Sequence, residues 1–357
     1  MKGRVVVLGE LHGREAAALL VDGRLEDLLI DEQSDLAPGA ICRALPERPM
    51  KGQGGLFVRL PGGARGFLRE ARGISPGRPL LVQVAANAEG AKAPPVSTRL
   101  VFKSRYAIVT PDAAGLNLSR AIRSPGLRAG LEALAAEGMA GSEMGLILRS
   151  ACLIAADEDG VLDPEMGAEI AEDIAAMRAL AEAVMADLEG GPELLVAAPT
   201  PHEAAWRDWA EPAPDAVEEG TMEAHGVPEA VDALLSPRVP LEGGGHMMIE
   251  PTRALVAVDV NTGGDTSPAA GLKANIAAVR ELPRELRLRG LGGQIVVDFA
   301  PMPKRDRAAV EQQMRAVFRR DGSETVLAGW TPLGNYEIQR KRDRRPLRDI
   351  LAPEAGR

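Results

Sequence analysis

Two aspartates, each near the end of an apolar run, carry the most pointed chemistry in this chain. Ala254–Val260 is almost unbroken in apolar residues, with Asp259 close to its end. Gln294–Phe299 repeats the pattern, with Asp298 in the same place. Runs of this kind suit strands covered on both faces, as in a parallel sheet. The long segment between them has room for a right-handed helical crossover, which sets the two strands side by side. Both carboxylates then emerge at the carboxyl edge of the sheet, where open α/β sheets bind ligands. Two such groups make a hard oxygen site suited to Mg²⁺ or Mn²⁺. Asn261 follows closely and adds a neutral oxygen or a supporting hydrogen bond. The competing reading is that one aspartate caps a helix and the other sits in a turn.

Around these residues the chain resembles the catalytic core of the ribonuclease E/G family. The resemblance rests on TRALVAVDVNTG, on the asparagine-led helix from Asn275, and on LRLRGLGGQIVVDF. It implies an RNase H-like core and metal-dependent endonucleolytic cleavage of single-stranded RNA. Asp259 and Asp298 match the family's metal-holding pair, and Asn261 matches its companion asparagine. A family glutamate just before the first catalytic strand falls on Arg253, an expected loss of one acid near the site. The loop Thr262–Pro268 is shorter than in the family. Pro283 interrupts the crossover helix, where an interior proline costs about 3 kcal/mol or forces a kink. Arg284, Arg287 and Arg289 give that helix a basic stripe.

The wider composition fits these expectations. With 357 residues, 45% hydrophobic and 26% charged, the chain has room for two or three ordinary globular domains. Cys42 and Cys152 are isolated and flanked by apolar residues, so no C-x-x-C zinc site is expected, and buried thiols in a reducing compartment are. No stretch is long and apolar enough to span a membrane, and MKGRVVVLGELHG is too soon broken by charge for a signal peptide. The expected location is the cytoplasm. A net charge of −9 counts against a simple nucleic-acid coat, but its distribution is uneven. From Pro201 to Asp232 nine acids face one base, Arg207, whereas from Pro303 to Arg348 twelve bases face six acids. A phosphate backbone favours the second segment over the first.

Taken in order, residues 1–35 read as short strands, with Asp22-Gly23 as a hairpin turn between Ala16–Val21 and Leu25–Ile30. The resemblance implies that they complete the RNase H-like sheet. Residues 36–102 read as short strands punctuated by Gly and Pro, which points to a small barrel. Here GLFVRLPGGARGFLRE resembles the family's OB-type RNA-binding module. Phe57 and Phe67 flank its Pro-Gly-Gly turn and would stack bases beside arginines; the alternative places both in the core. The resemblance carries Lys92 over as an RNA contact, while the family's second lysine falls on Ala86.

Residues 103–192 form an α/β and helical segment, with strands at Tyr106–Val109 and Met144–Leu148 and helices at Gly126–Gly138 and Pro164–Leu188. GLILRSA resembles the family's pocket for an RNA 5′-monophosphate. Arg149 and Ser150 would hold the phosphate, with Arg120 in a nearby basic patch. An ordinary exposed arginine at a strand end is the alternative. The family's glycine-rich loop is replaced by LIAADEDG, whose three acids weaken phosphate recognition.

Residues 193–226 replace a longer DNase-like subdomain of the family with a reduced subdomain or an acidic linker. Residues 227–357 carry the catalytic RNase H-like core and a basic C-terminal segment. The family's zinc-binding cysteine motif is missing, so neither zinc nor a zinc-linked dimer is expected, and the oligomeric state is open. The expected function is a Mg²⁺-dependent endoribonuclease of RNA processing or decay. The alternative is a catalytically weak or inactive RNA-binding or regulatory homologue.

Overall fold

Two tight turns shape the N-terminus. His12-Gly13 and Asp22-Gly23 have φ of 53°, 72°, 52° and 78°, the left-handed pairs whose twist matches a two-residue hairpin. They join β1 (Arg4–Leu11), β2 (Arg14–Val21) and β3 (Arg24–Ile30). The computed structural model describes residues 3–48, 54–70, 72–88 and 92–352. The chain divides into two units. One comprises Met1–Leu8, Arg14–Ala17 and Leu29–Glu218; the other comprises Gly9–Gly13, Ala18–Leu28 and Glu219–Arg357.

In the first unit, β4 (Ile41–Pro46), β5 (Leu56–Arg59), β6 (Arg65–Leu68), β7 (Leu80–Val84) and β8 (Pro95–Ser97) form a closed barrel. Closure comes from β4 pairing with both β5 and β7, so the ring has no free edge. Its interior is filled by Cys42, Val58, Leu68, Val82 and Val84. A second sheet follows, built from β9 (Phe102–Lys103), β10 (Ala107–Thr110), β11 (Leu116–Leu118) and β12 (Gly145–Leu148), in the order β11-β12-β10-β9. The helices α1 (Pro125–Gly138) and α2 (Pro164–Ala186) pack on it through Leu127, Leu131, Ile170 and Ile174, all fully buried. Both cysteines are buried, and burial pushes the Cys42 thiol up to about 11 and the Cys152 thiol to about 12.

The acidic stretch is ordered rather than a loose linker. β13 (Glu193–Val196) pairs with barrel strand β4. The helix α3 (Pro201–Asp208) starts in a capping box, with Thr200 accepting from the Glu203 backbone and the Glu203 side chain accepting from Thr200. Trp209 and Ala210 are buried, and Asp215 bonds back to Arg4 through side chain and backbone. β14 (Ala216–Glu219) then joins the N-terminal strands in a sheet ordered β14-β1-β2-β3. Those strands thus form a sheet of their own instead of extending the sheet that carries the aspartates.

The second unit begins its main sheet after α4 (Val227–Leu235). β15 (Arg238–Pro240), β16 (His246–Pro251) and β17 (Val256–Asn261) run as an antiparallel meander. The helix α5 (Ala270–Leu288) crosses over, running through Pro283 without ending there, and β18 (Gly293–Asp298) returns parallel to β17. After α6 (Arg307–Arg320), β19 (Thr325–Trp330) and β20 (Tyr336–Arg340) complete the order β15-β16-β17-β18-β20-β19, and α7 (Leu347–Leu351) follows.

The expectation of strands covered on both faces does not hold. Val256, Val258 and Val260 are buried among Ala278, Val279, Leu282 and Val310 of the helices, whereas Ala257, Asp259 and Asn261 on the other face are half-buried or exposed. Both helices lie on one face, so the other is left to polar side chains. Arg284, Arg287 and Arg289 are structural. Arg284 donates to the Leu25 carbonyl at 2.9 Å and Arg287 to that of Glu26 at 2.8 Å. Arg289 reaches the Ser236 carbonyl at 2.6 Å and pairs with buried Glu285. Arg344 clasps Asp27. Arg340 and Asp321, both almost fully buried, pair with each other, and Asp321 also takes Arg287. Much of the charge that sequence reads as a basic stripe on the crossover helix and a basic C-terminal segment thus holds β3, α5 and β20 together. Among the described residues no helix is long and apolar enough to cross a membrane.

Candidate active site and nucleic-acid interface

Asp259 and Asp298 are direct partners in the parallel β17–β18 ladder. Neighbouring strands lie about 4.8 Å apart, and partnered residues present their side chains on the same face. Both aspartates are exposed on the open face of the sheet. The residues beside them are held the other way. Phe299 is buried against Trp330 and Tyr336, with ring centroids 5.5 and 6.4 Å away. Val260 and Val297 are buried under the helices. Strand alternation therefore leaves the two carboxylates no inward option.

Asn261 shares the face of Asp259, and its amide nitrogen donates to the Asp259 carboxylate at 2.8 Å. A carboxylate fixed in this way presents its remaining lone pairs in a set direction. Met248 lies opposite Asp259 and His246 opposite Asn261 on β16. Glu337 of β20 lies opposite Val296, one rung from Asp298, a diagonal of roughly 7–8 Å. Among the described residues no group of three or more His, Cys, Asp or Glu is placed to hold a metal ion. The donor set is therefore two carboxylates and an amide. That suits a hard cation which takes one or two protein carboxylates and fills its other positions from water and phosphate.

One positioning residue escapes sequence reasoning. Asn275 of α5 is completely buried. Its amide donates to the Ala300 carbonyl and its oxygen accepts from the Ala300 N–H, both at 2.9 Å. It pins the backbone two residues beyond Asp298. Gly271, one turn earlier, lets the helix approach so closely that a Cβ there would lie 2.1 Å from the Pro301 carbonyl oxygen. The signal is a single polar residue on an otherwise apolar helix face, next to alanines. Arg253 lies on the turn before β17, made by Thr252 and Leu255. Three strand residues separate that end from Asp259, at least roughly 10 Å at ~3.3 Å per residue, so the arginine removes no ligand from the carboxylate pair.

In the first unit, Phe57 and Phe67 face each other across β5 and β6. Their rings meet edge to face at 5.4 Å, and the Arg65 guanidinium lies 4.2 Å from the Phe57 centroid. Both rings are half-buried, neither core nor fully exposed. With Lys92 and Pro94 they line a cavity of about 700 Å³. Arg65 also pairs with Glu47. Lys92 is exposed; Gly90 and Ala91 of the same loop lie outside the described residues. The arrangement offers two aromatic edges and two cations to one cavity, the components of a single-strand stacking platform.

The proposed phosphate residues also come together, but with a difference. β11 and β12 are parallel, with Leu118 opposite Leu148, so Arg120 and Arg149-Ser150 emerge at one carboxyl edge. Arg120 is exposed there. Arg149 is not poised for a ligand. Its guanidinium donates to the carbonyls of Ser104, Arg105 and Arg207 at 2.5, 3.1 and 2.9 Å, and to Asp208 at 2.8 Å. The reason is α3, which delivers Asp208 from a segment sequence reads as acidic linker. Lys103 at 2.6 Å and Arg207 at 2.8 Å share the same carboxylate. Burial alone would raise the Asp208 carboxyl; hydrogen bonds from Arg207 and Lys103, with their charges, outweigh it and hold the group down at about 2. Lys103 is lowered, chiefly by burial, with Arg149 and Arg207 adding to the effect against the pull of Asp208.

Comparison with known proteins agrees with the segment that holds the aspartates. Residues 215–343 match the model of the Ribonuclease E/G family. The chain is 28% identical over 397 residues to ribonuclease E of a Nostoc species, covering 97% of this chain and 57% of that protein. It is 27% identical over 313 residues to ribonuclease G of Salmonella typhimurium, covering 79% of this chain and 63% of that protein. A chloroplastic ribonuclease E/G-like protein of Arabidopsis thaliana is 38% identical over 130 residues, 34% of this chain and 13% of that protein. The chain thus spans about 60% of the length of the first two relatives. Residues 215–343 thus match the Ribonuclease E/G family model, and most of the chain is similar to ribonucleases E and G.

Proposed function

We propose that this protein is a metal-dependent endoribonuclease acting on single-stranded RNA in RNA processing or decay. The observation that carries the reading is the in-register Asp259–Asp298 pair, braced by Asn261, inside the segment that matches the family model. An RNase H-like description of the sheet is supported by its central parallel pair, helix-linked and bearing carboxylates, beside an antiparallel meander.

In this reading Asp259 and Asp298 hold a divalent cation, Mg²⁺ by the hardness of the donors and Mn²⁺ as a substitute. When bound, the cation supplies Lewis-acid stabilisation of charge on the phosphate. The chain's own residues do the rest. Asn261 orients the Asp259 carboxylate, while Asn275 and Phe299 fix the strand end that presents Asp298. Phe57 and Phe67 stack bases, and Arg65 and Lys92 neutralise phosphates. A 5′-monophosphate at the Arg120, Arg149 and Ser150 edge competes with Asp208 for the Arg149 fork.

The test is incubation of a 5′-monophosphorylated single-stranded RNA with and without Mg²⁺, beside Asp259→Asn and Asp298→Asn. Cleavage that needs Mg²⁺ and is lost in both variants is the expected result. Cleavage that survives Asp298→Asn sinks the assignment. Wild-type protein that binds RNA without cutting it supports the regulatory homologue instead.

A further inference from the structure

Trp206 is 59% exposed, on a helix whose next aromatic, Trp209, is 6% exposed and anchors it. The two are three residues apart and lean on different surroundings. Arg105 lies over the Trp206 ring, its guanidinium carbon 3.7 Å from the centroid, and donates to the Trp206 carbonyl at 3.4 Å. One face of the indole is thus covered by a cation. An exposure of that size leaves the other face to solvent.

Next to this stack stands the cluster on Asp208. Lys103, Arg149 and Arg207 converge on one carboxylate. With Arg105 four cations gather around Asp208, and two further carboxylates stand nearby, Glu169 accepting from the Tyr106 hydroxyl at 2.9 Å and Asp173 from the Tyr106 N–H at 3.1 Å. Lys103 keeps 34% of its side chain exposed. A flat π face backed by arginine and bordered by the cations Lys103 and Arg207 has the elements that take a base with its phosphate. The acidic stretch from Pro201 to Asp232 places its only base, Arg207, in this cluster.

We propose that Trp206, stacked on Arg105 and bordered by Lys103 and Arg207, is a further single-stranded nucleic-acid contact, adjoining the Arg149 edge and separate from the barrel cavity at Phe57 and Phe67. The site takes one unstacked base on the open indole face and a flanking phosphate on the cations. It rests on the RNA reading above, but not on cleavage.

The experiment measures binding of a fluorescein-labelled 12-nucleotide oligouridylate by anisotropy in EDTA, where metal-dependent cleavage does not intervene. Tryptophan emission is followed in parallel. Wild type, Trp206→Ala, Trp206→Phe, Arg105→Ala and Phe57→Ala are compared. The expected result is at least a fivefold loss of affinity in Trp206→Ala, substantial recovery in Trp206→Phe, and loss of emission quenching in both. Arg105→Ala is expected to flatten the salt dependence as well. Because the side chain is exposed, truncation leaves folding intact, and circular dichroism checks this. Unchanged affinity and quenching in Trp206→Ala, with binding lost in Phe57→Ala, overturns this proposal and leaves the nuclease reading standing. Wild type that binds through Trp206 and does not cut with Mg²⁺ overturns the nuclease reading alone. Retained binding to a protein partner with no oligouridylate binding overturns both.

Discussion

Asp259 and Asp298 stand directly opposite each other on adjacent parallel strands, with Asn261 bonded to the first at 2.8 Å. The pairing is fixed by the ladder, not by the side chains. A slip of one residue would turn both carboxylates into the Val258 and Val297 layer under the helices. The register that buries the valines is the one that presents the acids.

Asn261→Ala is expected to weaken the metal response rather than the fold. Its amide braces Asp259 from outside, and losing such a partner commonly costs 10–100-fold in metal affinity or activity. A Mg²⁺ titration of the cleavage rate measures it. A midpoint unchanged from wild type means that the amide does not orient the carboxylate.

Asn275→Ala removes both hydrogen bonds that hold Ala300 and leaves a buried N–H and carbonyl unpaired. At about 1–3 kcal/mol for each unsatisfied group, a loss of roughly 2–6 kcal/mol in unfolding free energy is expected. Urea denaturation checks it. Gly271→Ala is expected to be at least as severe, because its Cβ would overlap the Pro301 carbonyl backbone.

Phe57→Ala and Phe67→Ala are expected to weaken single-stranded RNA binding by about 1–3 kcal/mol each, the value of one base–aromatic stack. The double variant should fall short of the sum, because the rings touch each other at 5.4 Å. Anisotropy titrations of the two singles and the double make the cycle.

Asp208→Asn tests the cation cluster through pH. The native carboxyl titrates at about 2, below an unfolded value near ~3.9. The group therefore stabilises the fold fully above about pH 4, and that contribution is lost as pH falls through about 2. At neutral pH the variant should be less stable by roughly 2 kcal/mol, with the gap closing toward pH 2. Denaturation midpoints at pH 7, 4 and 2.5 read this out. A gap that does not change with pH shows that the carboxylate's charge is not what binds Lys103, Arg149 and Arg207.

The sequence makes the Asp259–Asp298 pairing legible because its signals are local. Two apolar runs each reach an aspartate, and the segment between them is long enough for a helix. The hairpin at Asp22-Gly23 and the helix from Pro164 are legible for the same reason. What escapes sequence reasoning depends on distant partners. β20 reads as a basic tail because Arg340 looks solvent-bound; only Asp321 explains why it is buried. β8, β9 and β11 are two or three residues long and leave no periodicity to detect. Arg149 has the right residue type for gripping phosphate. Its occupation by Asp208, which arrives 59 residues later, appears only in three dimensions. The open face of the main sheet was hidden because Ala257 and Val296 are apolar though half-exposed.

The N-terminal sheet has a consequence for how the chain is made. β1 lies between β2 and β14, and Asp215 beside β14 bonds to Arg4 across 211 positions. At a synthesis rate of about 5–20 residues per second, the outer partner of β1 emerges roughly 10–40 s after it. Through that interval one edge of a strand rich in valine is left unpaired on the nascent chain. The β1–β2–β3 ribbon thus gains from a chaperone or rapid burial, and slowed translation between its hairpin and β14 should cost soluble yield before it costs activity.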